Sequence, residues 1–286
     1  MGFNQTDNPF LVSTLTPLLM GVSYVASLYV WPTKHERDHP DTIKRRFVSA
    51  AFMTVISPLF VTTFGAPHLL QQNSLCEILG LRLPGLIPAS IFPVLLTVIL
   101  FLGPTVMLFT DPRVRVYWLP MYWKQSLKDW IWWRNHVVAP FSEEFTFRAC
   151  MVPILLGYYT KKQTMLISPL FFGVAHFHHM VERIRKGQPI LTSFLFSMFQ
   201  FTYTTIFGTY SAFLFLSTGH FATPFLVHAY CNFMGFPDIA EVLSFEPKKR
   251  LFVSLMFILG AILFYFVLTP VTSANIYLNF IYADLP

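Results

Sequence analysis

Long apolar runs alternate with short polar gaps along almost the whole chain. Eight runs stand out, at roughly 10–31, 47–65, 88–110, 138–160, 163–181, 190–218, 220–236 and 251–272. A membrane-spanning helix needs about 20 mostly apolar residues. The pattern therefore predicts an all-α, polytopic integral membrane protein with about eight transmembrane helices, forming a single membrane domain over residues 1–286. The fourth and seventh runs differ from the rest because polar residues interrupt them. Residues 111–137 mix Trp, Tyr, Lys and Arg, which predicts an amphipathic helix lying in the interface, with a ninth span as the alternative. No internal repeat or separate soluble domain is visible. The first apolar run lacks a basic start, so it is expected to remain as a span rather than act as a cleaved signal.

Composition agrees with lipid as the main solvent. Apolar residues make up 54% of the chain, charged residues only 12%, and Phe alone contributes 32 positions. Soluble domains are usually about a quarter charged. The net charge of +6 does not point to nucleic acid, because the basic residues sit in the gaps between runs. With eight spans, alternate loops on one side hold Lys34, Arg37, Lys44, Arg45, Arg46, then Arg113, Arg115, Lys124, Lys128, Arg134, then Arg183, Arg185, Lys186, and finally Lys248, Lys249, Arg250. The other side holds Arg82, Lys161 and Lys162. The positive-inside rule puts the first set in the cytosol and both termini on the luminal or exterior side. Adding or removing one span would destroy this asymmetry. Asn4-Gln5-Thr6 is a glycosylation sequon, expected to be unmodified because it lies so close to the first span. Cys76, Cys150 and Cys231 match no zinc-ribbon or redox spacing and read as small apolar residues.

Ionisable residues inside a span are costly and usually mark function. The fourth run contains Ser142-Glu143-Glu144-Phe145-Thr146-Phe147-Arg148. Glu144 and Arg148 are four apart and share a helix face, in the favourable order for pairing. Glu143 is turned about 100° away and lacks that arginine, which suits a general base or acid. The bland alternative is a polar patch bridging helices. In the fifth run His176 lies within the apolar part, whereas His178 and His179 approach the cytosolic end. His178 falls about 200° from His176 on a continuous helix, so the two should not share a site, and His179 reads as solvated. In the seventh run His228 and Asn232 stack one turn apart and can offer donors to an oxyanion. Interhelical hydrogen bonding is their bland alternative. His220 sits at the luminal mouth and is not expected to be catalytic.

At 1.5 Å per residue, Glu143, His176, His228 and Asn232 all fall about 6–12 Å below the cytosolic boundary. Three helices placing polar residues at one depth predict a shared, water-accessible cavity open to the cytosol. A base, a histidine and two further donors suit water attack on a carbonyl. No HExxH or GxSxG motif is present, and neither Ser142 nor Cys231 has an evident base partner. Glu143, His176 and His228 could compose a two-His-one-carboxylate zinc site. A proton-coupled transporter using the same Glu, His and Arg residues is the second function class, and a scaffold protein is the third.

Glu143-Glu144 and Arg148 fit an EExxxR motif, Phe172 to His176 fits FxxxH, and His228 to Asn232 fits HxxxN. In this order, on separate spans within 138–236, they resemble the type II CAAX prenyl endopeptidases of the glutamate-dependent intramembrane proteases. The resemblance implies removal of the C-terminal aaX tripeptide from prenylated CAAX proteins, such as small GTPases, at the endoplasmic reticulum membrane. It implies that Glu143 and His176 activate water, that His228 and Asn232 stabilise the oxyanion, and that Glu144 and Arg148 organise the site. It also implies a metal-free centre with no cofactor. Phe172, Phe194, Phe199 and Tyr203 are candidates to line a prenyl groove, with Phe172 the foremost; packing is the competing role for each.

Overall fold

The computed structural model describes residues 9–285, and the sequon at Asn4 lies outside them. Helices occupy all eight expected segments. They are α1 (Pro9–Ser27), α2 (Pro40–Phe64), the pair α3 (Leu86–Leu100) and α4 (Leu102–Thr110), α5 (130–155), α6 (Lys161–Ala175) followed by α7 (His178–Arg185), α8 (Ile190–Thr218), α9 (Ala222–Met234) and α10 (Pro247–Val271). No strand is present among the described residues. By length and apolarity alone, α2, α8 and α10 can each cross a membrane, and α3 with α4 makes a fourth if counted together. The count of eight spans therefore rests on the sequence pattern.

Three departures from that pattern have local causes. The third run, expected as one span, is broken at Phe101 and bent by 76°. Pro104 has no N–H to bond the Leu100 carbonyl, so the helix is weakest at that turn. The expected interfacial helix of 111–137 is instead a 3₁₀ turn (Pro112–Trp118), a short helix (Pro120–Ser126) and the first turns of α5. Pro112 and Pro120 each start a new element at its first position, where a missing N–H costs nothing. The fifth run ends its helix at Ala175 rather than near 181.

α5 is continuous but irregular. It contains two π-helical stretches, Arg134–Val138 and Phe145–Cys150, around the α-helical Ala139–Glu144. Each stretch lies just before a proline, Pro140 and Pro153. A proline frees the carbonyl four residues earlier and loosens the regular ladder, a recognised cause of such widening. Glu143 and Glu144 thus sit on a short rigid segment between two widened turns.

α5 is the buried centre, and Phe145, Phe147, Ala149 and Met151–Leu155 supply much of the core. α1 and α2 pack on one side of it, α9 on another; α6 runs along α8, and α10 covers α3 and α4. Close approaches need small residues. A Cβ on Gly208 of α8 would lie 2.8 Å from the Arg148 guanidinium and 2.8 Å from Pro169, so glycine here makes room for the arginine. On the expected luminal side the chain after α10 folds back over the bundle. Arg82 donates to the carbonyls of Tyr277 (2.6 Å) and Leu278 (2.7 Å), and Lys161 donates to that of Tyr282 (2.7 Å). Two of the few basic residues on that side are thereby used as caps for backbone carbonyls.

Candidate active site

Glu144 is fully buried, accepts hydrogen bonds from two other helices and pairs with an arginine on its own. His228 Nδ1 donates to its Oε1 at 2.7 Å, and Ser211 Oγ of α8 donates to its Oε2 at 2.6 Å. Arg148 Nη1 forms an ion pair with Oε1 at 3.1 Å. The geometry of that pair is coulombic rather than that of an aligned hydrogen bond, since both Arg148 terminal nitrogens lack a hydrogen-bond partner. The guanidinium is instead held by the ring of Phe172, 4.3 Å from its centroid, and more distantly by Phe207 at 5.9 Å. The Glu144–Arg148 pairing expected from their spacing is present.

Glu143 points the other way, 20% exposed, with Oε2 3.9 Å from His228 Nε2. Beside it, Ser142 Oγ donates to the Val138 carbonyl at 2.7 Å and contacts the Tyr24 hydroxyl at 2.8 Å. The hydrogen bonds of Ser142 thus go to Val138 and Tyr24 rather than to an imidazole.

The histidine tautomers follow from their partners. His176 Nδ1 lies 2.8 Å from the Phe172 carbonyl, an acceptor only, so Nδ1 carries the hydrogen and Nε2 has a free lone pair. His228 Nδ1 faces the Glu144 carboxylate, which leaves Nε2 facing Glu143. The bond from His176 to Phe172 also accounts for the end of α6. The side chain takes the carbonyl that the His176 N–H would use, and that N–H turns to Gly173 at 3.1 Å.

That break overturns the expected separation of His176 from His178. The chain turns sharply after His176, and the ring of His176 comes within 6.5 Å of His178 and 6.2 Å of His179. His179 is not simply solvated: its Nδ1 contacts Glu182 Oε2 at 3.0 Å. Glu182 also accepts from Tyr29 (2.5 Å) and Arg46 (3.3 Å), tying α7 to α1 and α2. Burial alone would raise the Glu182 pKa, but hydrogen bonds from His179 and Tyr29 outweigh it and hold the carboxyl below its usual range.

Glu143, His176, His228 and Asn232 all line one cavity of about 740 Å³. A smaller recess on the α1–α2 side shares Glu143 and His176 with it. Asn232 is exposed and gives one amide hydrogen to the Asn135 carbonyl at 2.8 Å, leaving its second N–H and its carbonyl oxygen. Tyr203 lines the cavity, as does Phe172, though Phe172 is only 2% exposed and chiefly backs Arg148. Phe199 packs on Tyr203 and Phe236, whereas Phe194 lies outside the cavity wall. His220 is remote, with Nε2 against the Pro84 carbonyl at 2.9 Å. Among the described residues, the one trio of possible metal donors within 4.8 Å of one another is His35, His39 and Asp41 in the exposed first loop; Glu143, His176 and His228 do not converge in this way.

Sequence reasoning missed Ser211, Tyr24 and the Glu182 network. Ser211 carries a weak signal as a hydroxyl in an apolar helix, but only tertiary packing brings it to Glu144.

The family described as Type II CAAX prenyl endopeptidase Rce1-like matches residues 125–234. Human CAAX prenyl protease 2 is 42% identical over 274 residues, covering 93% of this chain and 83% of the human protein. The Caenorhabditis elegans protein of the same name is 32% identical, covering 84% of this chain and 88% of its own length. The Saccharomyces cerevisiae one is 31% identical, covering 78% and 79%. All three are named as proteases, and the transporter alternative finds no support among them. No solved structure matches the chain.

Proposed function

The chain belongs to the family of type II CAAX prenyl endopeptidases, multi-pass membrane proteases, and on that premise we propose how and where its own residues cut. The substrate is a prenylated CAAX protein, a small GTPase among others, and the product is the same protein shortened by its aaX tripeptide. The site opens to the cytosol, where such substrates are prenylated, with both termini luminal in the endoplasmic reticulum membrane. The basic loops support that orientation.

Water sits between the Glu143 carboxylate and His176 Nε2. Glu143 takes a proton as the water oxygen attacks the carbonyl of the prenylated cysteine. The oxyanion receives hydrogen bonds from a protonated His228 Nε2 and from the free amide hydrogen of Asn232. Collapse breaks the C–N bond, and Glu143 returns the proton to the leaving amine. Glu144 fixes the His228 tautomer and, with Arg148, holds α5, α8 and α9 in register. The prenyl chain occupies the apolar end of the cavity near Leu100, Tyr210 and Phe264, where each buried CH₂ is worth about 0.8 kcal/mol. The centre works without a metal in this scheme, because His228 Nδ1 is already engaged by Glu144 and Nε2 is needed for the oxyanion.

The observation that carries the proposal is the convergence of Glu143, His176, His228 and Asn232, from three helices, on one cavity. The test is hydrolysis of a fluorogenic prenylated CAAX peptide by purified protein. Glu143→Ala is expected to lower the rate by about 10²–10⁴-fold with unchanged thermal unfolding. A variant that keeps its activity would remove Glu143 from the mechanism. Activity is expected to survive chelators, and a loss restored by added zinc would replace the metal-free scheme.

A further inference from the structure

The cytosolic end of the cavity is basic. Arg37, from the loop between α1 and α2, and Arg134, from the first π stretch of α5, both line it together with Glu143. The two differ in what already holds them. Arg134 is 15% exposed and paired with Asp38 at 2.7 Å. Arg37 is exposed and forms neither a hydrogen bond nor an ion pair among the described residues. The carboxylates that act on it electrostatically are Glu182, Asp38 and Glu143; the first two are already taken, and Glu143 faces the cavity without a hydrogen bond to Arg37. Glu182 is held by Tyr29, Arg46 and His179, and Asp38 by Arg134. An arginine is thus presented to the cavity with its planar fork of donors unused, next to a second positive charge. That arrangement fits a carboxylate ligand, which the guanidinium grips with two parallel bonds.

Distance decides which carboxylate. Arg134 stands nine residues before Glu143 on α5, at most about 13 Å toward the cytosol at the 1.5 Å per residue of a regular α-helix, and less through the wider π stretch. An extended tripeptide spans about 10 Å at 3.3–3.6 Å per residue. A tripeptide whose amide is cut at Glu143 would therefore bring its terminal carboxylate within side-chain reach of Arg134, and Arg37 lines the same cavity beside it. Resting on the activity proposed above, we infer that Arg37, supported by Arg134, binds the free α-carboxylate of the aaX tripeptide. It thereby measures the distance from the scissile bond to the chain end. Such a grip would set the cut three residues from the chain end in the proposed reaction.

The test compares two prenylated peptides that differ only at the last atom group, one ending in a free carboxylate and the other in a carboxamide. Wild-type protein in neutral-lipid vesicles is expected to favour the acid by roughly tenfold or more in kcat/KM, mainly through KM. In Arg37→Gln the acid-to-amide ratio is expected to fall toward one, and Arg37→Lys, a point charge without the fork, is expected to fall between. Equal cleavage of acid and amide by the wild type would overturn the inference without touching the proteolytic proposal. A ratio unchanged in Arg37→Gln would do the same. If Arg37→Gln lowers both rates equally, and only in vesicles containing anionic lipid, the guanidinium holds a lipid phosphate and the assignment falls. Failure of the wild type to cleave either peptide would instead sink the proteolytic proposal and this inference with it.

Discussion

α5 and α10 are of similar length and both lie in the apolar part of the chain, yet they are organised on opposite principles. α10 is a regular 25-residue helix with a mean hydropathy of 2.7 in its most apolar window, and only Val253 and Gly260 are buried. Its sequence answers to lipid. Any residue of sufficient apolarity serves on most of its surface, because lipid tails are as apolar as leucine. α5 is widened twice and buried from Glu144 through Leu155. Its sequence answers to particular partners: Glu144 to His228 and Ser211, Arg148 to Phe172, Ser142 to Tyr24. Apolarity thus explains where a helix runs, whereas contact explains what it can do.

The contrast can be broken by substitution. Arg148→Met would remove the arginine that pairs with the buried Glu144 carboxylate, and a loss of about 3–5 kcal/mol is expected. Thermal unfolding in detergent measures it, and a variant as stable as wild type would mean that His228 and Ser211 alone satisfy Glu144. The same change at two leucines sharpens the comparison. Leu155 in α5 is fully buried, and Leu155→Ala is expected to cost about 2–5 kcal/mol. Gly208→Ala, on the helix facing Arg148, should cost about 1–3 kcal/mol by overpacking, with a matching loss of peptide cleavage as the guanidinium shifts. Leu255→Ala in α10, where Leu255 is 49% exposed, should stay within about 0.5 kcal/mol of wild type. A large effect at Leu255 would show that α10 has a protein partner on its outer face.

The same division explains what could be read from the sequence. Helix positions and the polar triad of motifs were legible because hydropathy records the solvent of each segment, and because Glu143, Glu144, Arg148, His176, His228 and Asn232 stand out against it. The four-residue spacing of Glu144 and Arg148 was enough to foresee their pairing. The break at His176 was not foreseeable, since it depends on the imidazole capturing the Phe172 carbonyl. An ideal-helix projection accordingly put His178 on the wrong face. The bend at Phe101 and the two π stretches follow prolines that are visible in the sequence, but a proline alone does not say whether a helix kinks, widens or stops. Ser211, Tyr24 and Glu182 become meaningful only through residues far away in the chain.

Glu144 joins three helices through one carboxylate, and His228, one of its three ligands, also faces Glu143. The proposed catalytic geometry and the packing of three helices therefore share a single fastening. Heating would not be expected to yield a folded but inactive species: inactivation and unfolding curves should overlay, and detergents that spare one should spare the other.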